Sequence, residues 1–327
     1  MQKTPSLSPA PSASAASAPS AAPAPPSLWG LGPALGGMAL MGSSVAVIGA
    51  TADMPAFVVQ SARYAVAAVA VVALARLFAQ KVPLPRGRDV LWVIAGALSG
   101  LVGFNLALIV GTAHAEPAVL AAAVACIPMV LSVAGPLTRG ERPSARVVAG
   151  ALVVSAGAVA VTGWGHADVI GVLMALALIA LEAGFTLFGA PALPRMGAWG
   201  YTAATTVTAA LVFGVLSLFV NPAGWAMVAD PAVLGAVVYL GAVATALSFV
   251  LWFTGVARIG AGAASLAAGA AAPTAALVAT ALGAPMPSLG AWIGMAVIGA
   301  GLAVGFAPLP RRSPRNAAPA ATSAPSA

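Results

Sequence analysis

Charge is what this sequence has least of. Only 6% of its 327 residues are Asp, Glu, Lys or Arg, against about a quarter in a water-soluble domain. So few cannot cover a surface that faces water. With 61% of residues hydrophobic, lipid must be the solvent for much of the exterior. Cysteine is scarcer still. Cys126 stands alone inside an apolar run, which excludes an intrachain disulfide and any cysteine-pair metal site. His114 and His166 are far apart in sequence, so no metal or other cofactor is expected. There is no Gly-rich phosphate loop ending in Lys, and no Ser, His and Asp at catalytic motif spacing. The chain is therefore expected to be neither an enzyme nor an ATP-driven pump. Its net charge of +7 comes from 14 Lys and Arg that gather on no amphipathic face, which sets nucleic acid aside as a partner.

What the sequence has is long apolar runs. A spanning helix needs roughly 20 apolar residues. Runs and punctuation together predict ten, at 30–50, 55–78, 90–111, 118–137, 146–163, 169–189, 199–220, 232–255, 261–283 and 289–308. Loops and turns lie at Lys81–Arg88, Thr138–Ser144, Asn221–Gly224 and Ala284–Ser288. No charge falls between Arg258 and Arg311, a stretch too long for one span, and Pro285 and Pro287 divide it in two. The first helix is diluted by Gly30, Gly32, Gly36 and Gly37, which membrane helices tolerate. Residues 1–28 form a Pro/Ala/Ser-rich tail expected to be disordered, and it does not read as a signal peptide. Residues 309–327 are basic, then Ala/Pro/Ser-rich, and are expected in the cytoplasm.

Basic residues orient the bundle, because cytoplasmic loops carry the excess of Lys and Arg. With both termini inside, 13 of the 14 basic residues fall on the cytoplasmic side. The outer loops hold Asp53, His114, Glu116, His166, Asp168 and Asp230 and no base. Only Arg63, within the second helix, stands apart. The expected fold is all-α and polytopic, with ten transmembrane helices, N-in and C-in.

The two halves end alike. Ala118-Val119-Leu120-Ala121-Ala122 leads to Pro128, then Gly140-Glu141-Arg142-Pro143-Ser144. Ala264-Ser265-Leu266-Ala267-Ala268 leads to Pro273, then Gly283 and Pro287-Ser288. Five helices per half turn the second half over, so the expectation is two inverted five-helix repeats, 29–163 and 164–308. These segments resemble an EamA-type permease of the drug/metabolite transporter superfamily over about 30–308. The resemblance is carried by Pro55 then Arg63, by Gly103-Phe104-Asn105 with Ala113, and by the Gly140–Ser144 loop before Gly150. It continues in Phe249–Phe253 with Arg258. Ala284 departs from it, since the family repeat usually has a loop glutamate near there. The resemblance implies a secondary transporter of a small organic metabolite, an amino acid or related solute, exported across a bacterial cytoplasmic membrane by alternating access. The bilayer and a small-molecule substrate are the expected partners, and a homodimer is open. A non-transporting receptor or scaffold is the alternative.

Two charges sit where lipid should exclude them. Arg63 reads either as an anion-binding group in the pathway or as a structural arginine bonded to carbonyls. Glu182 reads as an amine or proton site, as a partner of Arg63, or as an interhelical tie. Asn105, Ser43, Ser44 and Tyr201 are polar candidates for the pathway or for packing. Phe104, Trp252 and Phe253 are candidates for its apolar wall or for the lipid interface. Pro128 and Pro273 are candidate helix breaks. Glu116 and Asp168 read as wet loop residues, and Glu141 as a loop or cap residue beside Arg142.

Overall fold

The computed structural model describes residues 28–44, 47, 53–163 and 165–307. The two expected tails and the end of the expected first helix lie outside them. The described residues are helical throughout, apart from turns, loops and one isolated antiparallel bridge, Ala115 to Ala167. Inside a bilayer every backbone N–H and C=O must be satisfied within its own segment, and only a helix does so without a partner strand.

Helix α1 is Leu28–Ser43. Among the described residues, eight runs are long and apolar enough to cross a membrane. They begin with α2 (Ala56–Leu77), α3 (Arg88–Gly111), α4 (Pro117–Leu137), α5 (Ala145–Thr162), α6 (Val169–Gly189) and α7 (Leu193–Val220). The next run, Pro231–Ala281, has 51 residues. That is about 77 Å of helix, far beyond a hydrocarbon core of about 30 Å. It turns at Gly260, whose φ of 77° a side chain would oppose. The parts are α8 (231–259) and α9 (261–281). Helix α10 is Leu289–Phe306.

Sequence signals set the ends. Pro117 opens α4, where its missing N–H costs nothing. The Asp168, Asp230 and Ser288 side chains accept the first free N–H groups of α6, α8 and α10. Two interruptions fall near the candidate breaks. Helix α4 restarts after Cys126 with Pro128 in its first turn. Helix α9 begins as a tight 3-10 stretch, Ser265–Ala270, ahead of Pro273. Two others were not foreseen. Helix α3 widens into π geometry over Ala97–Gly103, and α8 does so over Tyr239–Leu247.

Lipid is as apolar as the core, so helices associate by close approach of small residues. Helix α5 meets α10 in this way. A Cβ on Gly157 would lie 2.7 Å from the Gly294 carbonyl, and one on Gly150 2.8 Å from that of Gly301. Helix α2 packs on α7, with Phe213 5.9 Å from Phe57 and 6.1 Å from Tyr64 between ring centres. The remaining six helices form two trios. One is α1 with α8 and α9, and the other is α6 with α3 and α4.

One end of the bundle is basic. There the Arg195 guanidinium grips Asp89, Arg139 lies against Gly260, and Arg146 bonds the Ala307 carbonyl. The opposite end carries His114, Glu116, His166, Asp168 and Asp230.

The α5–α10 contact yields a test. Overfilling a close-packed crossing costs about 1–3 kcal/mol. Gly157→Ala is expected to lower the melting temperature of the detergent-solubilised protein. Gly299→Ala, with no neighbour within 4 Å of the added methyl, should leave it unchanged.

Candidate functional site

Gln60, Arg63 and Tyr64 lie three and four residues apart on α2 and so share one face. Arg63 donates from Nε to the Thr245 hydroxyl at 2.8 Å. Thr245 in turn donates to the Leu240 carbonyl, five residues back in the π stretch of α8, also at 2.8 Å. The Arg63 guanidinium carbon is 5.6 Å from the centre of the Tyr64 ring, within cation–π range. Among the described residues its two terminal nitrogens make no hydrogen bond, and the side chain is only half-buried.

Asn105 organises the other side. Its amide nitrogen donates to the Leu101 carbonyl at 2.6 Å and to the Tyr64 hydroxyl at 2.8 Å. Its carbonyl must therefore be the acceptor, and Gln60 donates to it at 2.7 Å. That orients the Gln60 amide and leaves its Oε1 buried with no partner. An unpaired buried acceptor costs about 1–3 kcal/mol, and such groups need a reason.

Glu182 projects from the middle of α6. The residue is half-buried. Among the described residues it makes no salt bridge, with Arg63 or any other base. Tyr64 feels the charge of both Arg63 and Glu182. Both charges are thus within electrostatic reach of one hydroxyl.

The other expected residues lie elsewhere. Ser43 and Ser44 are buried and bond their own helix, at Leu40 and Met41, and Ser43 also shares a 2.6 Å bond with the Tyr239 hydroxyl. Phe104 is half-buried beside the α3–α4–α6 cluster. Tyr201, Trp252 and Phe253 are 0%, 3% and 0% exposed. They pack into the core, not against open space or lipid. Pro128 is buried and its carbonyl accepts from Ser265 at 3.3 Å, while Pro273 is half-buried in α9.

Sequence reasoning passed over Gln60, Thr245, Thr186 and the Asp89–Arg195 pair. For Gln60 there was a usable signal, its three-residue spacing from Arg63. Asp89 is almost fully buried and takes Arg195 Nε at 2.9 and 3.0 Å. These partners are 106 residues apart, and no local pattern joins them.

At the acidic end, His114 meets Asp168 at 2.8 Å and His166 meets Glu116 at 3.3 Å. The Ala115–Ala167 bridge holds both pairs in register. These side chains are exposed or partly so, as expected of wet loops. Glu141 pairs with Arg139 at 2.8 Å in its loop.

No protein-family model matches the chain. It is similar to the uncharacterized transporter YdeK of Bacillus subtilis, 27% identical over 233 residues, which covers 70% of this chain and 79% of that protein. It is also similar to the uncharacterized transporter YetK of the same organism, 25% identical over 235 residues, covering 69% and 71%. This is a transporter-like membrane protein. Among the described residues no cluster of His, Cys, Asp and Glu could hold a metal. One crystal structure superposes with a TM-score of 0.74 at 21% identity, over 85% of this chain and 97% of that one. That likeness shows a shared fold.

The loop joint at Asp168 is pH-dependent, and its sign is clear. The Gly171 N–H, and after it His114, hold the Asp168 carboxyl below the usual carboxylate range. The native state therefore favours the charged form. This contribution is complete above about pH 4, the ordinary Asp value, and is lost as pH falls through the lowered one. Asp168→Asn should melt earlier than the parent at pH 6. The two melting curves, followed by thermal unfolding in detergent, should converge at the acid limit.

Proposed function

We propose that this protein is a secondary carrier that exports a small zwitterionic metabolite, an amino acid or related solute, across a bacterial cytoplasmic membrane. The observation that carries the proposal is the pair of unpaired charges beside Tyr64. Arg63 offers two free terminal nitrogens, the fork that binds a carboxylate bidentately. Glu182 offers a carboxylate to an ammonium group. Gln60 Oε1 is one more acceptor on the face that carries Arg63. A protein that used these charges only for its own stability would pair them.

The reading places ten crossings in two inverted fives, over 29–163 and 164–308, as in the EamA-type permeases. Packing supports it. Helix α1 lies on α8 and α9 as α6 lies on α3 and α4. Helices α2 and α7 pair, as do α5 and α10, and each pair is one helix with its counterpart. The π stretches fall in α3 and α8, also counterparts. The basic end then faces the cytoplasm. Export, as opposed to uptake, rests on the family resemblance.

The test is flux in proteoliposomes loaded with a labelled amino-acid mixture, with and without a proton gradient. Selective movement of at least one solute is expected. A hydrogen bond to a charged group is worth about 1.5–3 kcal/mol, so Arg63→Gln and Glu182→Gln should each cut that flux about 10- to 100-fold at unchanged protein amount. No selective flux of any solute overturns the carrier reading. Unchanged flux in both variants removes these two charges from it.

A further inference from the structure

The two trios meet at the basic end. Phe185 of α6 lies with its ring centre 5.1 Å from Phe249 and 5.0 Å from Phe253 of α8. Trp252 donates from Nε1 to the Thr186 hydroxyl at 3.3 Å, the one side-chain hydrogen bond between α6 and α8 among the described residues. Gly189 lets α6 come close, since a Cβ there would lie 2.7 Å from the Phe253 ring. Tyr201 packs edge-on against Phe253 at 4.7 Å. Helix α4 meets α9 at the same level, Gly135 against Gly262 and the Pro128 carbonyl against Ser265. These groups all belong to the halves of their helices nearest the basic end.

The other halves behave differently. Residues 231–247 of α8 pack on α1 and α2, and residues 271–281 of α9 pack on α1 and α5. Residues 117–125 of α4 pack on α5 and α6. Among the described residues these halves show no extensive packing across from one trio to the other. The stretch Ala271–Ala281 is apolar, packs on α1 and α5, and has no fully buried residue.

Glu182 is three residues before Phe185, and Thr245 is four before Phe249. The charged site therefore lies one helical turn above the aromatic contact. A solute held between Arg63 and Glu182 meets a wall of Phe185 and Phe249 on the basic side and parted helices on the other.

We propose that this aromatic seam is the carrier's cytoplasmic gate, that the Trp252–Thr186 hydrogen bond is its polar catch, and that the structure is the form open toward the acidic end. The proposal rests on the carrier reading. It gives Tyr201, Trp252 and Phe253 a role other than touching the solute, because rings this buried act by closing one face. Opening toward the cytoplasm separates Phe185 from Phe249 and Phe253 and breaks the catch. The free halves at the acidic end then approach each other.

A thiol reporter tests it without needing a substrate. In a Cys126→Ser background, Ser265→Cys places a thiol in the seam, at a position now 0% exposed. A membrane-impermeant maleimide is applied from either side to vesicles of known orientation. Thr186→Val and Trp252→Phe each delete the catch with little change of shape. Both are expected to raise labelling from the basic side at least threefold, with no rise from the acidic side. Thr186→Ser keeps a hydroxyl and should label like the parent. Gel filtration confirms folding, and either catch variant alone decides the matter if the other fails to fold. Equal labelling in parent and variants, or an equal rise from both sides, overturns the gate. Labelling that follows the catch in a protein with no flux leaves the seam standing and overturns the carrier. Flux with labelling blind to the catch overturns the seam alone.

Discussion

A guanidinium inside a bilayer has to be held by its neighbours, and the way Arg63 is held organises this molecule. Its Nε goes to Thr245 in one trio. On the same face of α2, Gln60 and Tyr64 go to Asn105 in the other. Helix α2 is therefore tied to both trios by polar bonds at one depth. Such bonds average well under 2 kcal/mol each in membranes, enough to set register and not enough to lock the trios together. A carrier that rocks needs joints of that strength.

The two π stretches belong to the same arrangement. In a π turn the ladder skips a residue, which leaves a carbonyl free to bond a side chain. Leu101 and Leu240 each lend a carbonyl this way, the first to Asn105 and the second to Thr245. Each polar side chain that receives α2 is thus itself anchored to a widened turn. The charge on α2 and the irregularities in α3 and α8 are one design. Neither would be stable in lipid without the other, because the widened turns would leave carbonyls unsatisfied.

Helix positions were legible in the sequence because one solvent, lipid, sets their length and because Pro, Gly and caps mark their ends. The expected 55–78 is found at Ala56–Leu77, and 169–189 at Val169–Gly189. Arg63 and Glu182 were legible for the same reason, as charges that lipid should refuse. The direction in which apolar side chains face was not legible. A water-soluble helix shows its buried face as a hydrophobic stripe. Here lipid and core are both apolar, so Trp252 in the seam and Leu218, 61% exposed toward lipid, look alike in the sequence. Pathway and seam could not be told apart, so Trp252 and Phe253 stood as candidates for the apolar wall and Tyr201 as a polar candidate for the pathway. The π stretches were hidden too, since Ala97–Gly103 is as apolar as any α-helix beside it.

The placement of the charges above the seam bears on why the chain keeps them. A charge held in a sealed core costs several kcal/mol and is usually paired or removed. In the proposed open form, Arg63 and Glu182 avoid that cost because the trios part at the acidic end. Closing that end around an empty site would strand both charges. Closing it around a solute that carries a carboxylate and an ammonium would satisfy both at once. The same electrostatics that makes the residues tolerable in the open form therefore makes closure conditional on cargo. That condition is what a carrier needs in order not to leak: the step that exposes the other face should be cheap when the site is filled and costly when it is empty. The unpaired acceptor on Gln60 acts in the same direction, as a third group whose penalty a correctly shaped solute can relieve.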